Sequence, residues 1–250
     1  MLKLKDIHNK VKHLATETDR VKRSTFFKDY LNVMSRFWNY SHYNQLLIYF
    51  QYPKATKVAG YTTWKRLNRK IKKGEKAIKI LAPIIIEDDE IIYFKPVSVF
   101  DISQTKGEPL PRLDIDIKGE SKRHWLNNLL SYCSDTGIKV TFKELNDNFY
   151  GFNRGNTIVI NSSKSINTQI NTLVHELAHA LMHKDSKCST KTKEIQAEAV
   201  AYVVCKTIGL EPKSFNYLAI YDAGKENILD NLEIISKFSK KILDAIFFHK

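Results

Sequence analysis

Residues 173–183 read LVHELAHALMH, three histidines four apart with a glutamate directly after the first. On a helix, positions four apart are offset by only about 40° around the axis and lie one turn apart. His175 and His179 therefore project from one face and can offer two imidazole nitrogens to one ion. Leu173, Val174, Leu177, Ala178 and Leu181 supply the apolar surface that seats such a helix in a core. Zinc takes neutral imidazoles at about 2.0–2.1 Å, plus a third protein ligand where one position stays open to water. Glu176 reaches the flank of that ion without binding it, where a general base acting on water belongs. His183 lies about 12 Å along the axis from His175, too far to share the ion. It is expected in the last helical turn, where a partly charged imidazole suits the helix dipole.

A third ligand is expected from the next helix, TKEIQAEAVAYVVCKTIG, residues 192–209. Glu194 and Glu198 lie four apart on this otherwise apolar segment. Glu198 sits among Ala197, Ala199 and Ala201, small residues that permit close helix approach. A carboxylate buried there is costly unless paired or bound to metal. Glu198 is the expected ligand, with Glu194 as its outer partner or as the alternative ligand. HELAH followed by EAVAYVV resembles the minimal gluzincin metallopeptidases of the ImmA/IrrE type, over roughly residues 120–210. The resemblance implies Zn2+ on His175, His179 and Glu198, with Glu176 as catalytic base for attack on a peptide carbonyl of some protein substrate. It leaves the transition-state-stabilising residue open among Tyr202, Tyr217 and Tyr221. Cys188, close after the histidines, is either a substitute ligand or a plain structural thiol.

Outward from this motif the periodicity predicts helices at about 165–184, 190–209 and 224–248, the second closed by Gly209. Ahead of them, IKVTFKEL and NFYGFNRGNTIVINSS predict a small antiparallel sheet, and SKRHWLNNLLSYCSDTG a helix stopped at Gly137. SQTKGEPLPRLDIDIKGES, with Pro109 and Pro111, predicts a linker, dividing the chain into domains 1–113 and 114–250. In the first, helices are predicted over Leu4–Thr18, from Ser24 or Thr25 through FFKDYLNVMSRF, and over SHYNQLLIYFQY with Ser41 as N-cap. A short helix capped by Thr62 or Thr63, carrying Trp64, Leu67 and Ile71 and ended by Gly74, comes next. A β-hairpin of AIKILAPIIIE and EIIYFKPVSVFDI follows. The fold class is α+β: an N-terminal helical region with a β-hairpin, then a minimal gluzincin-like domain.

Charge separates the two halves. Of a net +13, residues 1–113 carry 22 Lys/Arg against 11 Asp/Glu, and the remainder 18 against 16. Such asymmetry points to a polyanionic partner for the first half. Between Phe26 and Trp64 lie 12 of the 28 aromatic residues, and WKRLNRKIKKGEKAIK follows at once. Cations neutralise phosphates, and aromatic faces stack on unpaired bases without a sequence code. The candidate contacts are Asn44, Tyr61, Trp64, Lys65, Arg66, Arg69, Lys70, Lys72, Lys73, Lys76 and Lys79. The stretch YSHYNQLLIYFQYPKATKVAGYTTWKRLNRKIKKGEKAIKILAP is similar to the N-terminal single-stranded-DNA-binding domain of ArdC-type antirestriction proteins, over about residues 10–113. Asn44, Gly60-Tyr61, Trp64 and the basic turn KKGEK carry the likeness; Ala77 departs from it, where that family usually has a second Gly. The resemblance implies a mobile-element protein that binds single-stranded DNA and protects it against restriction, with a zincin-like domain following. The alternatives are a regulatory metalloprotease that cleaves a repressor, and a non-enzymatic DNA-binding protein with a structural metal. No apolar run is long enough to span a bilayer, the first residues lack a signal-peptide core, and the three cysteines are widely spaced. A cytoplasmic protein with no membrane partner is expected.

Overall fold

The computed structural model describes Asp6, Asn9 and residues 20–85, 91–110, 120–211 and 228–248. Apart from Asp6 and Asn9, the helix expected over Leu4–Thr18 lies outside these residues, as do the hairpin tip, the part of the linker beyond residue 110, and Tyr217 and Tyr221. In chain order the elements are α1 (Arg20–Arg36), α2 (His42–Gln51), β1 (Val58–Gly60), α3 (Tyr61–Arg66), β2 (Arg69–Ile71), β3 (Ile78–Ile85), β4 (Ile91–Asp101), β5 (Thr105–Gly107), α4 (Glu120–Asp135), β6 (Lys139–Lys143), β7 (Gly151–Arg154), β8 (Thr157–Asn161), α5 (Ile166–Met182), α6 (Thr190–Thr207) and α7 (Ile228–Phe248). The α+β class stands. Among the described residues no helix is long and apolar enough to cross a membrane.

The chain forms two compact units. One holds residues 1–17 and 39–113, the other residues 18–38 and 114–250. α1 groups with the second unit rather than with the first. Its pattern of apolar residues told that it packs, not against what. Asn32 of α1 accepts the Tyr202 hydroxyl at 2.9 Å, and Ser35 offers its carbonyl to Thr207 Oγ1 at 2.9 Å. Phe27, Tyr30, Leu31 and Met34 of the same helix are fully buried.

In the first unit Ser41 caps α2, accepting from the Asn44 N–H, as a short hydroxyl at this position should. β3 and β4 pair antiparallel from Ile78↔Val99 to Ile84↔Tyr93, and β1 adds to the far side of β4, giving the order β1–β4–β3. β3 is thus an edge strand, and α2 covers its open edge with two side-chain amides. Asn44 donates to the Leu81 carbonyl at 2.9 Å and accepts the Leu81 N–H at 2.8 Å. Gln51, two helical turns on, treats Lys79 identically at 2.8 and 3.0 Å. The two amides satisfy alternate strand residues as a neighbouring strand would.

The segment after Thr63 departs from expectation. The helix ends at Arg66, and Asn68 turns the chain with φ 54°. β2 then pairs with β5, Arg69↔Gly107 to Ile71↔Thr105. A side chain at Gly107 would lie 2.3 Å from the Asn68 carbonyl oxygen, so the approach needs glycine. Residues 105–107, read as linker, are therefore a strand. Asp101 closes the end of β4. Its carboxylate accepts from Ser103, Thr56 and Lys57 N–H at 2.9, 2.7 and 2.9 Å, locking the following turn to the approach to β1.

In the second unit the sheet is mixed: β8 is central, parallel to β6 and antiparallel to β7. Ile158, Val159 and Ile160 of β8 are buried. α4 leaves through a Schellman turn, Gly137 N–H to the Ser134 carbonyl and Ile138 N–H to that of Cys133. Trp125 on α4 meets Phe247 of α7 edge-on at 5.2 Å, and Asn128 donates to the Ile246 carbonyl. Ser165 and Ser189 cap α5 and α6. These two helices run antiparallel, since Asn171 meets Cys205 while His183 meets Gln196.

Candidate metal centre and basic surface

Helix α5 presents its histidines where α6 begins. His175 Nε2 and His179 Nε2 lie 3.1 Å apart. A Glu194 oxygen lies 3.5 Å from the first and the other oxygen 3.3 Å from the second. A tetrahedral site with metal–ligand bonds of about 2.0–2.1 Å has donor–donor edges of about 3.3–3.4 Å. The observed separations, two of them to different oxygens of Glu194, lie close to that edge, and one donor atom from each of the three residues lies within 4.8 Å of the others, near enough to meet on one divalent ion. Burial, the first cause, holds the His179 imidazole below its ordinary value, partly offset by the Glu194 carboxylate. It is therefore the neutral form, the one that ligates, that stands there at neutral pH.

The third member of the cluster is Glu194, not Glu198. Ala197, Ala199 and Ala201 lie in the core, whereas Glu194 and Glu198 are both on the exposed side of α6, so burial does not separate them; the level at which α6 crosses α5 does. Glu194, one turn nearer the start of α6, meets His179 because the antiparallel crossing places it level with that histidine. Cys188 is exposed and outside the cluster. Tyr202 is buried against α1 through its bond to Asn32, which removes it from the site.

Glu176 accepts a hydrogen bond from the Asn153 backbone N–H in β7. Burial, and next the Glu194 carboxylate, push its carboxyl up to about 7. A group there gains and loses a proton near neutrality, as acid–base work requires. The Asn153 side-chain oxygen is buried without a hydrogen-bond partner among the described residues. A cavity of about 410 Å³ opens here, lined by Asn153, Asn156, His179, His183 and Lys184 among others.

His183 differs from its expected role at the helix dipole. Burial, foremost, lowers its pKa, so it stands neutral. Its Nδ1 lies 3.0 Å from His179 Nδ1 and its Nε2 lies 2.9 Å from Gln196 Oε1. Gln196 in turn donates to Asn231 Oδ1 at 2.5 Å. Nothing in residue type marked Gln196 or Asn231 beforehand; only their burial between helices does.

In the first unit the eleven candidate contacts fall into groups. Asn44 is buried and bonded to β3. Trp64 is 2% exposed, with its indole N–H donating to the Phe100 carbonyl at 2.9 Å. Neither presents a face to a ligand. Arg69 is bound to Thr105 Oγ1 and to the carbonyls of Gly107 and Glu108, pinning β5. Lys72 donates to the Ser103 carbonyl and Lys79 to the Ser98 hydroxyl. Tyr61 (61% exposed), Lys65, Arg66, Lys70, Lys73 and Lys76 remain on the surface, along a stretch from residue 61 to 79 that contains a single acid, Glu75.

Comparison with known proteins matches the same two segments. Residues 5–108 match the N-terminal domain of anti-restriction factor ArdC, and residues 133–205 the IrrE N-terminal-like domain of the M78 peptidases. An uncharacterized protein of Bacillus anthracis is 24% identical over 258 residues, covering 79% of this chain and 43% of that protein. The chain thus spans less than half the length of that relative. The crystal structure of the antirestriction protein ArdC from plasmid R388 with Mn(II) is 18% identical with a TM-score of 0.51, covering 88% of this chain and 99% of that one. Its metal-free structure gives the same identity and TM-score, covering 83% and 85%. Both family matches fall in that order along the chain, and the fold of the solved ArdC structures is shared along most of its length.

Proposed function

We infer that the chain is a mobile-element antirestriction protein that binds single-stranded DNA through its first unit. In the second it hydrolyses a peptide bond at a divalent metal, zinc, held by His175, His179 and Glu194. The observation that carries the second half is the meeting of His175, His179 and Glu194, whose nearest donor pairs lie 3.1, 3.3 and 3.5 Å apart, with the Glu176 carboxyl beside them. Zinc, when bound, supplies a Lewis acid and a more acidic water. Glu176 takes the proton of the attacking water on its carboxylate and returns it to the leaving amine nitrogen. Its high pKa favours the second act as much as the first. The Asn153 N–H orients the carboxyl.

The DNA half rests on the exposed cations of residues 65–76 beside the exposed ring of Tyr61. Phosphate neutralisation and base stacking need no base-specific geometry. The test uses the full chain with zinc, a peptide library and a labelled single strand. Glu176→Gln is expected to keep stoichiometric zinc and DNA affinity and to lose cleavage. Converting Lys70 and Lys73 to Gln should flatten the log–log salt dependence of single-strand binding by about 0.7 per lost contact. Absence of stoichiometric metal, or cleavage equal in Glu176→Gln, sinks the hydrolytic reading. Salt-independent binding sinks the DNA reading.

A further inference from the structure

We propose that His183, Gln196 and Asn231 form a positioning relay that fixes His179 in its metal-competent tautomer, with the proton on Nδ1 and the Nε2 lone pair turned toward His175 and Glu194. This rests on the metal-site reading above and names what holds that site ready.

The assignment follows from donor and acceptor polarity along the line from Asn231 to His179, with His175 Nε2, 3.1 Å from His179 Nε2, as the donor at the far end beside the Glu194 carboxylate. Gln196 Nε2 donates to Asn231 Oδ1, which leaves Gln196 Oε1, an atom that only accepts, facing His183 Nε2 at 2.9 Å. His183 Nε2 must therefore carry the hydrogen. A neutral imidazole has one N–H, so His183 Nδ1 is an acceptor. The atom 3.0 Å away is His179 Nδ1, which must then donate. The remaining nitrogen of His179, Nε2, is bare, and it is this atom that stands 3.1 Å from His175 Nε2 and 3.3 Å from Glu194. Reversing the two amides would reverse every bond and leave a hydrogen on His179 Nε2, where no metal could bind.

Burial makes the polarity binding. His183, Gln196 and Asn231 are 8, 3 and 7% exposed, so water is a poor substitute partner for any of them. They come from the C-cap of α5, from α6 and from α7, joining three helices through one line of polar atoms. Such a line inside an apolar interface costs more than aliphatic packing unless every member is satisfied, and it specifies one arrangement when it is. A free imidazole in water favours the opposite tautomer, with its hydrogen on Nε2. The relay thus opposes the intrinsic preference at the one histidine where that preference would obstruct the ion.

The deciding measurement is long-range 1H–15N correlation on metal-free, 15N-histidine-labelled full chain. His179 is expected to show a protonated Nδ1 and a bare Nε2. Gln196→Met keeps the length of the side chain and removes the acceptor. It is expected to shift His179 toward the Nε2–H form and to weaken zinc about 10–100-fold in a chelator competition, the usual cost of losing an outer partner of a ligand. Wild-type His179 with its hydrogen on Nε2 overturns the relay, and that needs no variant. So does a folded Gln196→Met protein with tautomer and affinity unchanged. A wild-type chain that shows the assigned tautomer yet binds no zinc leaves the relay standing and removes the metal site, so the two failures are distinguishable.

Discussion

Asn44→Ala separates a structural amide from a ligand-facing one. In the structure its side chain makes two bonds, at 2.9 and 2.8 Å, to the carbonyl and N–H of Leu81. Removing both leaves two backbone groups unpaired beneath α2, where each costs about 1–3 kcal/mol. The expected loss is about 2–4 kcal/mol for the first unit after partial access of water. For a unit of this size that lowers its transition by roughly 10 °C or more. The assay is hydrogen exchange across β3 together with thermal unfolding of the full chain. The Leu81 amide should exchange with the bulk of the unit in the wild type and far faster in the variant. Gln51→Ala should do the same at Lys79 and leave Leu81 protected. Single-strand affinity, measured cold enough to keep the unit folded, should not change. A variant with unaltered exchange and melting that has lost DNA binding would show that Asn44 serves the ligand, and the edge-covering argument would fail.

Glu194→Gln is expected to weaken zinc by more than the ~10–100-fold typical of outer partners, while Glu198→Gln leaves it unchanged; chelator competition decides. Asp101 is expected to give an acid-side loss of stability. Burial alone would raise its carboxyl, but the bonds from Ser103, Thr56 and Lys57 outweigh that and hold it below the ordinary 3.8. The unfolded chain therefore takes the proton first, so stability is full above about pH 5 and falls as the pH drops below 3.8 toward the lower folded value. Asp101→Asn should flatten that slope in acid unfolding. Under native conditions iodoacetamide should label one thiol per chain, the exposed Cys188, because burial pushes Cys133 up to about 12 and Cys205 to about 11. Intact mass would show three after denaturation.

What the sequence disclosed was local. The serine at 41 and the glycines at 137 and 209 act within one turn of themselves, and α2 begins, and α4 and α6 end, where those residues imply. The histidine pair was legible because helical spacing alone puts both nitrogens on one side. The strand at Arg69–Ile71 was not, since its partner lies some 35 residues on and Leu67 and Ile71 keep helical spacing with Trp64. Glu194 and Glu198 are the same residue one turn apart. Only the level at which α6 crosses α5 decides which of them meets the histidines. Trp64 and Asn44 misled for a different reason: groups able to bind a nucleotide are equally able to bind a backbone carbonyl, and here they do. The crossing of α1 into the other unit is beyond any local rule.

That crossing has a practical consequence. A fragment cut at residue 114 would carry the metal-binding helices but not the strip from 18 to 38, and the flank of α6 holding Tyr202 and Thr207 would be stripped of its cover. Such a fragment is expected to clump or stay unfolded, and its silence in an assay would say nothing about the chemistry. Excising this half in working order requires the earlier helix to be supplied as well, grafted ahead of residue 114 or added as a separate peptide.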